Sequence, residues 1–236
     1  MGSLSIQYRV QGPTVAFRDR EEAGRALVEF MVPRRRPDSI VLGLPRGGVA
    51  VGAPLADALG APLLPLVVRK LPVPVSPEMG FGAVAIDGTR VLNKRAVGSF
   101  GLTEERIDRI TEDVTQEVRR RAREYVGSDE PPDIEGRHVF IADDGLATGF
   151  TAIVGARMAR RHDPASLTLA VPVSPVDSIG AVQDLFDEVY CLYVQESYSF
   201  AVASYYRDFH DMTDSEVQGY LQEQRAPATE PGPSSP

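Results

Sequence analysis

The fold of this chain is constrained most by a regular alternation of short apolar runs with segments of helical periodicity. The runs are apolar along almost their whole length, which indicates strands buried on both faces, as in a parallel sheet. The predicted strands are 39–44, 63–68, 138–143, 166–173 and 188–194, and the predicted helices are 19–32, 49–59, 102–126, 151–161, 175–186 and 214–222. The sequence therefore predicts an α/β fold with a mostly parallel, twisted sheet and helices on both faces.

Two segments interrupt this alternation and two flank it. Residues 69–80 are rich in proline and predict a long loop, whereas residues 83–92 predict a β-hairpin. The first 16 residues are weakly patterned and predict a loose N-terminal arm. Residues 225–236 are rich in Pro, Ala and Ser and predict a disordered tail. One domain is therefore expected over residues 17–224.

The charge balance and the single cysteine exclude several classes of protein. The net charge of −8 argues against non-specific nucleic-acid binding, which depends on Lys and Arg neutralising phosphates. Cys191 is the only cysteine, so no intramolecular disulfide can form. No uncharged apolar stretch reaches the roughly 18 residues that span a bilayer, and residues 1–17 lack a signal-peptide pattern. We therefore expect a cytoplasmic protein that binds neither nucleic acid nor membranes.

Residues 139–151 carry the most specific functional signal. A predicted strand ends in Asp143 and Asp144, a loop with two glycines follows, and a helix begins near Thr151. Free N–H groups at a helix start form an anion site, and vicinal sugar hydroxyls can donate to the carboxylates. An ordinary strand-to-helix turn would not need all these features together. The segment suits a ribose 5-phosphate, with phosphate contacts expected from Gly145, Leu146, Ala147, Thr148, Gly149 and Thr151.

Two cationic segments are predicted at the same edge of the sheet. Arg46, Gly47 and Gly48 follow the first core strand and open a helix, so a side chain and backbone N–H groups can bind an anion there. Arg69 and Lys70 end the second predicted strand and, as unpaired cations, suit a pyrophosphate group. A plain turn and a solvated pair of charges are the structural alternatives.

The whole pattern resembles the type I phosphoribosyltransferases. Their signature of apolar residues, two acidic residues and a Gly/Thr loop is matched by residues 139–151, and the order of flanking strands agrees over about residues 38–195. An uncharacterised bacterial group of such proteins is similar in three further segments, seen here as Leu44-Pro45-Arg46-Gly47-Gly48, Val68-Arg69-Lys70 and Tyr205-Tyr206-Arg207-Asp208-Phe209. The resemblance implies a core over 38–195 and a small hood formed by 17–37 and 195–224.

The resemblance also implies a reaction and roles for the site residues. The 5-phosphoribosyl group of 5-phosphoribosyl-1-pyrophosphate (PRPP) would pass to a nitrogen of a small planar base, with release of pyrophosphate. Asp143 and Asp144 would hold the ribose hydroxyls, directly or through Mg²⁺. The pyrophosphate would be bound by Arg46, Gly47, Gly48, Arg69 and Lys70, and the catalytic residues would be Asp143, Asp144, Arg46 and Lys70.

The resemblance also implies that two other segments cover the site. Loop 69–80, with Glu78 and the neighbouring Phe81, corresponds to the mobile flap of the resembled family. The hood aromatics would stack on the base, or would only pack the C-terminal segment onto the domain. These aromatics are Tyr198, Phe200, Tyr205, Tyr206 and Phe209.

One position departs from part of the family, and several questions stay open. Members that act on hypoxanthine or guanine carry an aspartate where this chain has Ala147, which disfavours a 6-oxopurine acceptor. The acceptor base and the oligomeric state, a homodimer included, are not fixed by the sequence. A regulator or sensor that binds PRPP without turnover is the main alternative. A hydrolase or phosphorylase of ribose 5-phosphate esters is disfavoured because no nucleophile motif is present.

Overall fold

The computed structural model describes residues 2–33, 36–74, 76–197 and 199–224, except the side chains of Pro77 and Glu78. The strands are β1 (Ser3–Val10), β2 (Ser39–Gly43), β3 (Leu63–Pro65), β4 (Val68–Val73), β5 (Ser76–Ala85), β6 (Arg90–Leu92), β7 (His138–Ala142), β8 (Ser166–Pro175) and β9 (Glu188–Gln195). The helices are α1 (Arg20–Met31), α2 (Gly47–Leu59), α3 (Lys94–Ser99), α4 (Glu104–Val126), α5 (Phe150–Arg161), α6 (Val176–Val182) and α7 (Asp214–Glu223). Short 3₁₀ helices lie at Gln183–Leu185 and Val202–Tyr205.

The main sheet explains the alternation in the sequence. Within the described residues it contains six parallel strands in the order β1-β9-β8-β7-β2-β3. Strand β2 shows how the two faces are divided, because successive side chains point to opposite sides. Val41 joins the core beneath α1 and α2, whereas Ile40 and Leu42 join the core beneath α5 and α6. The predicted α/β fold is confirmed.

A small antiparallel sheet, in the order β4-β5-β6, packs against α4 and α5. The predicted hairpin over 83–92 is confirmed, with Gly88 in the turn at φ 80°. The prediction of a long loop over 69–80 is wrong, because β4 and β5 pair across this segment. Its apolar residues Leu71 and Val73 alternate into the core, and Pro72 sits at an irregularity of the pairing, where a missing N–H donor is tolerated.

The N-terminal segment also differs from its prediction. Residues Ser3–Val10 form β1 and pair in parallel with β9, so they are not a loose arm. Leu4 and Ile6 pack against the core, and Tyr8 stacks on Tyr193 with ring centroids 4.9 Å apart. An edge strand is half exposed, so its pattern is weak in the sequence. The predicted tail, 225–236, lies outside the described residues.

Helices α1, α4 and α7 begin at polar side chains that cap their first N–H groups. The Asp19 carboxylate accepts from the Glu22 N–H at 2.8 Å, and Thr103 caps α4 in the same way. Thr213 and Glu216 form a reciprocal capping box at the start of α7. In the described part of the chain, no helix is both long and apolar enough to cross a bilayer.

Candidate functional site

The site lies where the direction of the chain through the sheet reverses. From β2 the chain moves outward to β3, and from β7 it moves the other way to β8 and β9. Ligands of open α/β sheets bind outside the carboxyl ends of the strands at such a point. Two loops, called here the signature loops, meet at this point: residues 44–46 after β2 and residues 143–149 after β7. Strands β2 and β7 are neighbours, and the Leu44 N–H donates to the Ala142 carbonyl at 2.9 Å.

Glycine is required where these loops touch. A Cβ on Gly47 would lie 1.9 Å from Oδ2 of Asp144, and one on Gly48 would lie 2.3 Å from the Ala142 carbonyl oxygen. The loop after β2 turns directly into α2, whose first residue is Gly47, while the Arg46 side chain is exposed at the helix start. The peptide between Pro45 and Arg46 is cis. The structure therefore places Gly47 and Gly48 against the loop after β7, with Arg46 next to them in the chain.

The two carboxylates stand at the centre of this junction. Asp143 follows β7 directly, and its Oδ1 accepts from the Asp144 N–H at 2.9 Å. Burial raises the pKa of both carboxyls, and the charge of Asp144 raises that of Asp143 further. The Arg20 guanidinium works in the opposite direction at both groups. A ligand that brings hydroxyl donors or a cation to this position would relieve the unfavourable negative charge.

Arg20 belongs to the site but was missed in the sequence. Its Nε donates to Oδ2 of Asp144 at 2.8 Å, and its guanidinium lies over the ring of Phe209, 3.9 Å from the centroid. Arg20 is the first residue of α1, and 124 positions separate it from Asp144. In the sequence, Arg20 is recognisable only as an arginine that directly follows a helix cap in the predicted hood segment. That signal is too weak to predict a contact with Asp144.

The loop after β7, residues 143–149, ends at a left-handed glycine that opens α5. Gly149 adopts φ 74° and precedes α5, so the first N–H groups of the helix face the loop. Leu146 is buried and its N–H donates to the Val173 carbonyl at 2.9 Å, which anchors the loop to β8. Thr148 and Thr151 are exposed beside the helix start. The Ala147 carbonyl is held by the Ser178 hydroxyl at 2.8 Å.

A cavity of about 320 Å³ opens next to this loop. It lies between the small antiparallel sheet and the start of α5, and Lys70 reaches it from β4. The stem of Lys70 is seated on Gly80, where a Cβ would come within 2.4 Å of its Cγ. The lining consists of Lys70, Gly80, Gly82, Ala83, Asn93, Thr148, Phe150 and Thr151. Lys70 therefore lines the same cavity as Thr148 and Thr151 of the loop after β7 and the start of α5.

Arg69 is not in the predicted position. Strand β3 ends at Pro65, so Arg69 and Lys70 lie within β4 of the second sheet and not at the end of a strand of the main sheet. Adjacent residues of a strand point to opposite faces. Arg69 therefore turns toward α4 and pairs with Glu117 at 3.0 Å. Hydrogen bonds from Arg120 and Arg121, together with the charge of Arg69, lower the pKa of Glu117 to about 2. The expectation of an unpaired Arg69 is wrong.

The hood aromatics are mostly used for packing. Tyr205 is fully buried and its hydroxyl donates to Gln195 at 2.8 Å, and the Tyr206 hydroxyl donates to the Asp144 carbonyl at 2.7 Å. Phe209 has Arg20 on its ring face and Tyr206 beside it at 5.0 Å. Tyr198 lies outside the described residues. Tyr205 and Tyr206 therefore pack the C-terminal segment onto the domain, which was one of the two expected roles.

Phe81 also has a structural role. It is completely buried in the core, in the middle of β5, and therefore does not belong to an exposed cover over the site. The side chain of Glu78 lies outside the described part of the structure.

Comparison with known proteins identifies the family. A family model described as a phosphoribosyl transferase domain matches residues 32–208. The chain belongs to the phosphoribosyl transferase family. The resemblance stated from the signature residues is confirmed, and the matched range includes both loops of the site but begins after Arg20.

Relatives of this phosphoribosyl transferase domain include two proteins and one solved structure of note. Two Mycobacterium tuberculosis proteins, from strains CDC 1551 / Oshkosh and ATCC 25618 / H37Rv, are 42% identical over 206 residues and are named as candidate phosphoribosyl transferases. The match covers 87% of this chain but 46% of each relative, so the chain spans about half their length. The crystal structure of TT1426 from Thermus thermophilus is 33% identical, with a TM-score of 0.73, and the match covers 89% of this chain and 99% of that chain.

Proposed function

We propose that this domain transfers the 5-phosphoribosyl group of PRPP to a nitrogen of a small planar base and releases pyrophosphate. The observation that carries the proposal is the contact between the two signature loops at the point where the strand order reverses. One loop offers paired carboxylates and exposed threonines at the start of α5, and the other offers Arg46 and the Gly47 N–H at the start of α2. Together they supply donors for a phosphate and for a pyrophosphate group on either side of a sugar site.

The residues divide the substrate between them. The loop 145–151 would bind the 5-phosphate, and Asp143 and Asp144 would accept hydrogen bonds from the ribose hydroxyls. Arg46 and the Gly47 N–H would hold the pyrophosphate, whereas the expected contact from Gly48 is withdrawn because its N–H already donates to the Leu44 carbonyl at 2.9 Å. In the reaction the C1–O bond to pyrophosphate breaks, the leaving group takes the electron pair, and a base nitrogen forms the new bond to C1 and loses its proton. The protein contributes mainly by positioning and by neutralising the departing charge.

Lys70 is assigned a different role from the one expected in the sequence. Its place in a cavity lined by Thr148 and Thr151, and not by Arg46, supports a contact with the 5-phosphate. Arg69 is withdrawn from pyrophosphate binding because it pairs with Glu117. We therefore assign Lys70 to the 5-phosphate side of the substrate.

The residues fit Mg²⁺ that enters together with the substrate. Among the described residues, no group of three or more His, Cys, Asp or Glu side chains could hold a metal ion. Mg²⁺ commonly takes one or two protein carboxylates and completes its shell with water and phosphate oxygens. Asp143 is the better protein ligand, because Arg20 already occupies Oδ2 of Asp144 with a positive charge. When bound, Mg²⁺ would neutralise charge on the pyrophosphate.

The experiment measures pyrophosphate release from PRPP and Mg²⁺ with a panel of adenine, uracil, hypoxanthine, guanine and other planar bases. We expect release with at least one base other than hypoxanthine and guanine, since Ala147 offers no carboxylate to a 6-oxopurine. Strong activity with hypoxanthine or guanine would contradict that part of the proposal. Saturable PRPP binding without release for any base would identify a PRPP-binding regulator instead.

A further inference from the structure

The side chain of Arg20 joins three separate parts of the molecule. It lies at the start of α1, binds the Asp144 carboxylate at 2.8 Å and donates from Nη1 to the His210 carbonyl at 3.0 Å. The central carbon of the guanidinium lies over the Phe209 ring, 3.9 Å from its centroid. Its side chain is only 10% exposed, and that of Asp144 is 17% exposed. A charge buried to this extent is retained at a cost in desolvation unless it is paired and hydrogen-bonded, as this one is.

The surrounding backbone is shaped to admit this pair. A side chain on Gly47 would collide with Oδ2 of Asp144 and would lie 2.8 Å from Nε of Arg20. The Asp144 carbonyl is held by Tyr206, which belongs to the same C-terminal segment as Phe209 and His210. Asp144 is thus fixed at its side chain from α1 and at its backbone from the C-terminal segment. The loop after β7 depends for its shape on residues far from it in sequence.

We propose that Arg20 is a positioning residue, which fixes the orientation of Asp144 and so holds the sugar-binding loop ready before the ligand arrives. The proposal rests on the proposed function for the identity of the ligand, a phosphorylated pentose. Arg20 acts through Asp144 and is not assigned a contact with the substrate. Arg20 contacts the Phe209 ring and makes two directed hydrogen bonds at once, which a lysine ammonium on a flexible stem cannot reproduce, so lysine is not an equivalent replacement.

The experiment uses Arg20→Gln and Arg20→Lys with Arg25→Gln as the matched control. Arg25 lies on the same helix, is exposed, and makes a helical pair with Glu21 at 3.4 Å. Two quantities are measured in the presence of Mg²⁺, at a temperature below the unfolding midpoint of every variant. They are the dissociation constant for PRPP and, without PRPP, hydrogen exchange of peptides that cover residues 143–150.

We expect both Arg20 variants to exchange faster in that loop and to bind PRPP at least tenfold more weakly, with Arg20→Lys less affected than Arg20→Gln. The Arg25 variant should match the parent in both measurements. Combining Arg20→Gln with Asp144→Asn should add little to the effect of Asp144→Asn alone, because residues that act through one another are not additive.

The outcomes separate this inference from the proposed function. Unchanged exchange in residues 143–150 would overturn the positioning role, even if PRPP bound more weakly, because Arg20 would then act on the ligand directly. Additive losses in the double variant would overturn it as well. If the parent protein does not bind PRPP but the Arg20 variants loosen the loop, the proposed function fails and the positioning role stands.

Discussion

The two loops at the carboxyl edge of the sheet, 44–46 after β2 and 143–149 after β7, both open a helix but do so in different ways. The loop after β2 enters α2 through glycines packed against its partner, and its one charged side chain, Arg46, is exposed. The loop after β7 is longer and acidic, is anchored by Leu146, and presents hydroxyls at the start of α5. Under the proposed function, each helix start would bind one anionic group of the substrate, and the acidic pair between them would bind the sugar.

The largest effect is expected from removing both carboxylates. Asp143→Asn combined with Asp144→Asn should weaken PRPP binding by roughly 10²- to 10⁴-fold, because hydrogen bonds to a charged group contribute about 1.5–3 kcal/mol each. Binding of free pyrophosphate should change much less if the loop after β2 holds that group by itself. Isothermal titration with PRPP and with pyrophosphate checks this division, and equal losses for both ligands would contradict it.

The single variant Asp143→Asn gives the pH dependence of stability. The pKa of Asp143 is raised in the folded protein by burial and by Asp144, so between the unfolded and the folded pKa the folded state binds more protons than the unfolded state. This contribution favours folding at low pH and is lost as the pH rises from the unfolded pKa through the raised one. We therefore expect Asp143→Asn to unfold at a higher temperature than the parent at pH 7, with the difference shrinking at pH 4. A lower Tm at pH 7 would show that the carboxylate stabilises the fold.

A somewhat smaller effect is expected where the two loops touch. Gly47→Ala inserts a methyl group at the position of the Asp144 carboxylate, and such overpacking costs about 1–3 kcal/mol. PRPP affinity should fall by about 30-fold if this cost is met by displacing Asp144. The matched control is Gly180→Ala in α6, where a Cβ would meet nothing within 4 Å. Similar PRPP affinities in the two variants would mean that the loops do not depend on each other.

The sequence predicts features formed by residues close together in the chain better than contacts between residues far apart in it. Both loops were identified because strand, turn and helix start follow one another within a few residues, as they do over 139–151. The contact between Arg20 and Asp144 could not be predicted in this way, since it forms only when α1 and the C-terminal segment pack against the loop. Strand β1 was hidden by its half-exposed edge position, and the pairing of Arg69 with Glu117 depends on a hairpin read as a loop.

The smallest effect is expected from the two neighbouring cations of β4, Arg69 and Lys70, of which Lys70 lines the cavity beside the loop after β7. Lys70→Met should weaken the binding of ribose 5-phosphate and of PRPP alike, by about tenfold, because its charge lies beside Thr148 and Thr151 in the cavity and charge-assisted bonds to phosphate are about twice as strong as neutral ones. Pyrophosphate alone should bind as in the parent. Arg69→Met should leave all three affinities unchanged, since that side chain pairs with Glu117 on the other face of the hairpin. In the contrary outcome, Lys70→Met weakens pyrophosphate and PRPP binding and leaves ribose 5-phosphate binding unchanged. That result would assign Lys70, like Arg46, to the pyrophosphate site and contradict its assignment to the 5-phosphate.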